Sequence, residues 1–286
     1  MWLINTTTLK LEFFVNPEKA SYAILSHTWG DEEVIFQELQ SLDKASSQKK
    51  GFAKIVRICE KARQEGLQYA WVDTCCIDKS SSAELSEAIN SMFAWYKDSA
   101  VCLAYLEDLP TEVGFEEGFH SCRWLSRGWT LQELIAPQNM EFYDQAWTKR
   151  TTKRASTKLL AKVTGVQEAV LADSTNLTSL SVAQRMSWVS RRQTTRAEDI
   201  AYCMLGIFDI HIPLIYGEGE KAFMRLQEEI AKQTCDLSLF AWAAPPPEPS
   251  SDPHNFRGIF AKSPAEFIDS PPVLANSDKR SHSAIP

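Results

Sequence analysis

Most residues in this chain that could do chemistry fall in three short polar blocks. The first, Ser26-His27-Thr28-Trp29-Gly30, follows the apolar run Tyr22-Ala23-Ile24-Leu25. The second runs from Asp73 to Asp78 through Cys75 and Cys76, and follows Tyr69-Ala70-Trp71-Val72. The third closes on Arg127-Gly128-Trp129-Thr130-Leu131-Gln132-Glu133. His27 is a candidate pocket residue or a satisfied structural one. Asp73 and Asp78 can shape a site or cap their own turn. Arg127 can pair with either aspartate or grip a phosphate in bidentate fashion. Trp29 and Trp129 can sandwich a flat ring or belong to the core. Thr130-Leu131-Gln132-Glu133 is a capping-box pattern, so Glu133 can simply reach back to the start of its own helix. Held in a site without a metal, the same carboxylate suits stabilisation of an oxocarbenium-like centre, as in glycosidic bond cleavage.

The elements around these blocks decide whether they meet. Residues 52–65 carry Ile55, Ile58, Cys59 and Ala62 at helical spacing, and Gly66 ends the helix. Ser81-x-x-Glu84 opens another helix, with Leu85, Ala88, Ile89, Met92, Phe93 and Tyr96 on one face. Val101 to Leu106 is a third strand and Met140 to Tyr143 a fourth. Strands alternating with such helices imply βαβ units and a doubly wound, mostly parallel α/β sheet. Sites in such sheets lie beyond the carboxyl ends of the strands, and all three blocks fall there. We therefore expect His27, Asp73 or Asp78, and Glu133 to line one pocket.

Past residue 150 the sequence becomes helical in character. Residues 151–172 read as a basic helix, Thr195-x-x-Glu198 as a capping box opening a helix that ends near Gly206, and Gly217-Glu218-Gly219-Glu220 as the lead into a last helix. The expected organisation is an α/β core over 1–150, a helical extension over 151–244 and a Pro/Ser-rich linker or truncated tail over 245–286. The basic clusters at 149–154 and 185–196 read as solvated helix faces.

Several chemistries have no support. There is neither G-x-G-x-x-G after the first strand nor a Walker-type loop, so no phosphate cradle is legible. No C-x-x-C or H-E-x-x-H occurs, so no metal site is expected. The seven cysteines are scattered and odd in number, which fits a reducing compartment rather than a disulfide framework. A formal charge of −7 argues against nucleic acid as the main partner. With no apolar run long enough to span a bilayer and no signal peptide, the expectation is a cytoplasmic protein without a membrane partner.

The blocks Ser26-His27-Thr28-Trp29-Gly30, Trp71-Val72-Asp73-Thr74-Cys75-Cys76-Ile77-Asp78 and Arg127-Gly128-Trp129-Thr130-Leu131-Gln132-Glu133-Leu134 resemble, in this order, the signature blocks of the fungal heterokaryon incompatibility (HET) domain. The segments Arg196–Tyr202 and Tyr216–Gly219 are similar to what commonly follows it. More distantly, the third block resembles the TIR-domain block that contains the glutamate serving NAD⁺ cleavage, with Thr130 where that block usually has cysteine. These resemblances imply a cell-death effector domain of vegetative incompatibility that self-associates and works with a NACHT-type or other signalling module. They also imply NAD⁺ as substrate rather than cofactor, with nicotinamide and ADP-ribose products. Glu133 would be catalytic, and Ser26, His27, Trp29, Gly30, Asp73, Cys76, Asp78, Arg127 and Trp129 would bind substrate. Two other readings stand beside this one: a non-enzymatic adaptor, and a cysteine hydrolase using Cys76 with His27.

Overall fold

In the computed structural model, which describes residues 1–244 and 257–269, seven strands form one sheet. They are β1 (Trp2–Asn5), β2 (Leu11–Phe13), β3 (Tyr22–His27), β4 (Tyr69–Trp71), β5 (Val101–Tyr105), β6 (Met140–Tyr143) and β7 (Lys149–Thr152), in the order β2-β1-β4-β3-β5-β6-β7. The four strands expected from the sequence are β3 to β6, and they pair in parallel. One edge is completed by the hairpin of β1 and β2, with β1 antiparallel to β4, and the other by β7, antiparallel to β6. Every residue of β3 is buried, as a central strand covered on both faces requires.

The helices follow as α1 (Phe36–Gln40), α2 (Lys50–Gln64), α3 (Ser82–Lys97), α4 (Phe115–Phe119), α5 (Arg123–Ser126) and α6 (Thr130–Ile135). The chain leaves β3 through α2 to reach β4 on one side, then returns through α3 to reach β5 on the other side of β3. Right-handed crossovers in opposite directions put α2 and α3 on opposite faces. The step from β5 to β6 continues in the direction of the second crossover, so α6 packs on the α3 face, where the two helices touch. β3 and β5 flank the switch point, where doubly wound sheets bind ligands.

Two expectations are corrected here, and the sheet gains an edge that was not read from the sequence. The N-terminal segment is a β-hairpin, with Asn5 Oδ1 accepting from the Thr7 and Thr8 amides in its turn. The basic stretch from 149 begins as β7, because Thr151 and Thr152 pair with β6 and Lys149 and Arg150 blunt the sheet edge. Helix resumes only at α7 (Thr157–Thr164), then α8 (Glu168–Ala172), α9 (Val182–Ser187), α10 (Asp199–Tyr202), α11 (Leu205–Phe208) and α12 (Lys221–Gln233). Thr195 and Glu198 form no capping box. The Glu198 carboxylate instead accepts from the amides of Gly217 and Gly219 and so clamps the loop that leads into α12.

Nor are the basic clusters merely solvated. Lys153 is buried and donates to the carbonyls of Leu134, Ile135 and Pro137, capping the C-terminus of α6. Of the segment read as linker, residues 257–269 are described. There Phe267 is buried, and Ala261 exchanges two hydrogen bonds with the carboxamide of buried Gln227.

Gly206 lies inside α11, where that helix crosses α3; a Cβ there would sit 2.1 Å from Phe93 Cβ. Gly206→Ala should therefore destabilise the protein by about 1–3 kcal/mol, as overpacking does. Urea unfolding reads this as a lower midpoint at unchanged slope; an unshifted midpoint would mean that the two helices separate freely.

Candidate active site at the carboxyl end of β3

Ser26 and His27 are successive residues of β3, so their side chains leave the sheet on opposite faces. That alternation splits the expected pocket in two.

On the α3/α6 face, Ser26 Oγ donates to Glu133 Oε2 at 2.5 Å and accepts from Trp124 Nε1 at 2.8 Å. Glu133 is 4% exposed. It is not a cap. Trp129 occupies the N-cap position of α6 without any side-chain capping bond. Thr130 turns inward, donates to the carbonyls of Trp124 and Arg127, and accepts from Arg192. Burial first, and the negative charge of Asp73 second, push the Glu133 carboxyl up to about 8, while the bond from Ser26 pulls the other way. Glu133 is thus largely protonated at neutral pH. Neighbouring Tyr96 spends its hydroxyl hydrogen on the Leu25 carbonyl at 2.9 Å, so the lone pair it keeps suits the protonated carboxyl.

On the α2 face, His27 Nε2 meets Asp73 Oδ1 at 3.0 Å, and His27 Nδ1 lies 3.3 Å from Lys54 Nζ. An ammonium can only donate, which fixes the tautomer: Nε2–H donates to Asp73 and Nδ1 accepts from Lys54. Lys54 also donates to Thr28 O and to Glu33, and it faces Glu107. Asp73 Oδ2 accepts from Trp29 Nε1 at 2.8 Å, and Lys79 Nζ stands 4.1 Å from the centre of the Trp29 ring. Burial raises Asp73, but the bond from His27, the charge of Lys79 and the bond from Trp29 bring it below the usual carboxylate range. A cavity of about 520 Å³ opens on this half, between Lys50, Lys54, Tyr105, Glu107, Asp108 and Trp147. In it the rings of Tyr105 and Trp147 stack at 4.5 Å.

The remaining expected residues take other places. Arg127 pairs with neither aspartate and donates to Thr195 Oγ1. Trp129 lies beside Asp199, whose carboxyl it helps to hold down against burial, and its ring makes no stack with Trp29 among the described residues. Asp78 caps its turn by accepting from Ser80, and also holds Gln37. Exposed Gly30 gives its amide to Glu33. Cys76 is buried, its sulfur accepting from the Val72 amide. Both nitrogens of His27 are engaged elsewhere, so the Cys76–His27 pair that a cysteine hydrolase needs is not formed. Among the described residues no cluster of potential metal ligands occurs, and no helix is long and apolar enough to cross a membrane.

Sequence reasoning missed Lys54, Tyr96, Trp124 and Arg192. Lys54 carried a signal, since it sits on the apolar stripe of α2 beside Ile55 and Ile58. Arg192 had none: it reaches the site through the Arg127 carbonyl and the Thr130 hydroxyl, from far along the chain.

The family model of the heterokaryon incompatibility protein (HET) matches residues 22–117. That span covers Ser26, His27, Asp73 and Asp78 and ends before Glu133. A model for a domain of unknown function (DUF8212) matches residues 221–277. The vegetative incompatibility protein HET-E-1 of Podospora anserina is 48% identical over 221 residues, which is 74% of this chain and 16% of that relative. The chain thus spans about a sixth of that relative's length. No solved structure matches.

Glu133 gives the site a thermodynamic signature. Because burial lifts its carboxyl from 4.5 to about 8, the folded protein binds more protons than the unfolded chain between these values. Its contribution to stability is full below 4.5 and is lost as pH rises through about 8. Glu133→Gln cannot titrate, so its melting temperature should gain on that of the wild type from pH 5 to pH 8.5. Parallel melting profiles over that range would mean that Glu133 is not the titrating group.

Proposed function

The chain is a HET-domain protein, and from that premise we propose that it is the effector domain of an incompatibility reaction, killing cells by cleaving NAD⁺ with Glu133 as its catalytic carboxylate. One observation carries this reading. A carboxyl group is buried at the switch-point end of the sheet, is excused from helix capping, and is held by Ser26 where an apolar side chain would serve the fold better. Buried carboxyls with strongly shifted titration concentrate at functional sites.

The reaction adds water across the glycosidic bond. The carbon–nitrogen bond to nicotinamide breaks, its electron pair neutralises the pyridinium nitrogen, and water supplies oxygen to the ribose carbon while losing a proton. Glu133 would face the ribose and stabilise positive charge at that carbon. The arriving nicotinamide ring is cationic, and a cation beside a buried carboxyl favours its ionised form. The substrate therefore helps to create the base that acts on it. In the single chain Ser26 holds the carboxyl and is itself held by Trp124; under this proposal self-association opens that closed arrangement.

Nicotinamide release from NAD⁺ tests the proposal. Specific activity should rise steeply with enzyme concentration, and Glu133→Gln should lower it by roughly 10²–10³. As Glu133 ionises, kcat/KM should climb from pH 6 toward 9, since this parameter reports the free enzyme; a flat profile would remove Glu133 from catalysis. The near-complete burial of Glu133 favours a second reading, a non-enzymatic assembly domain. Under it, Glu133→Gln would kill cells as well as wild type does.

A further inference from the structure

A second cavity, of about 260 Å³, lies where the last turns of α7 and α9 meet the segment 187–192. Its charged lining consists of Lys162, Arg191 and Arg192, with no carboxylate among its walls. That is unusual in a chain of net charge −7. Lys162 and Arg191 make no ion pair and no side-chain hydrogen bond among the described residues. Arg192 is 8% exposed. It spends only Nη1 on the protein, bonding the Arg127 carbonyl and the Thr130 hydroxyl, which leaves the donors on Nε and Nη2 uncommitted. Burial lowers it to about 10, so it stays cationic.

Two features oppose an anion here. The helix ends that face the cavity each bring roughly −0.5 of an elementary charge. The hydroxyls of Thr164, Ser187 and Ser190 have given their hydrogens to helix carbonyls, so they can only accept. Three full positive charges against about one negative charge leave the cavity clearly positive, and Lys162, Arg191 and Arg192 supply its charged donors.

We infer that this cavity binds the phosphate or diphosphate group of a soluble small molecule, gripped by Lys162, Arg191 and Arg192. Its volume falls below the roughly 300–1,000 Å³ of sites that enclose a whole drug-sized ligand. The phosphate end would therefore be held while the rest of the ligand projects outward. Guanidinium groups suit that geometry through paired N–H donors. The site is distinct from the end of β3, yet Arg192 joins the two, because the same guanidinium bonds Thr130 at the start of the helix that carries Glu133.

Titration calorimetry with inorganic pyrophosphate tests this without any turnover, so its outcome is independent of NAD⁺ cleavage. Wild type should bind saturably, and Lys162→Glu/Arg191→Glu should bind at least ~10-fold more weakly, since two charge-assisted contacts are reversed. Both side chains are exposed, so folding should be kept; an unchanged melting temperature checks this. Arg154→Glu/Lys158→Glu makes the same change in net charge outside the cavity and should bind as wild type does. No binding by wild type up to ~10 mM pyrophosphate, or equal loss in both double variants, would overturn the proposal. So would capture by phosphoinositide-bearing vesicles without pyrophosphate binding, which would assign the charge to a lipid headgroup.

Discussion

The hydrogen bond from Ser26 to Glu133 is made inside the protein, and most of the architecture around the site follows from what it demands. A carboxyl placed there must have a partner that is itself buried and fixed. The last turn of a fully covered central strand supplies one. Trp124 then completes the hydroxyl by donating to it, which requires α5 to lie against the strand end. Because strands alternate, the next residue must leave by the other face. His27 therefore builds a hydrogen-bonded array with Asp73 and Lys54 rather than joining Glu133. The two halves touch only through field, as Asp73 raises Glu133 across the end of the sheet.

The helix that bears Glu133 is short, and a six-residue helix has little stability of its own. It is held from outside. Lys153 satisfies the carbonyls at its C-terminal end, Thr130 anchors its first turn, and Arg192 bonds that same threonine. The Gly128 amide reaches the Gln193 carbonyl. Thr195, Asp199 and Glu198 carry the connection onward to the loop before α12. The position of Glu133 is thus set by residues up to about ninety places further along the chain.

Much of this was legible. The four parallel strands announced themselves as apolar runs, and the polar block after each of the first two fell where the sheet puts it. Period two was also available, and it already implied that Ser26 and His27 diverge; proximity in sequence obscured that. The hairpin edges were missed because strands of three or four residues ending in Thr-rich turns carry almost no periodic signal. The capping-box patterns at Thr130 and Thr195 are not realised, and for one reason. Each glutamate had a stronger partner elsewhere, in Ser26 or in the amides of Gly217 and Gly219. Side-chain competition of this kind is decided by tertiary packing, which a local pattern cannot encode.

The exchange between Gln227 and Ala261 bears on how the molecule can be cut. A chain ended at residue 244, where the composition first turns rich in proline, would keep α12 but lose Ala261 and Phe267. The Gln227 carboxamide would retain only its bond to the Phe223 carbonyl, with its oxygen buried and unbonded. The pocket filled by Phe267 would stand empty against α9. A buried polar atom left so typically costs about 1–3 kcal/mol, and a phenylalanine-sized void about 3–5. The smallest autonomous fragment should therefore extend past the proline-rich segment, to at least residue 269.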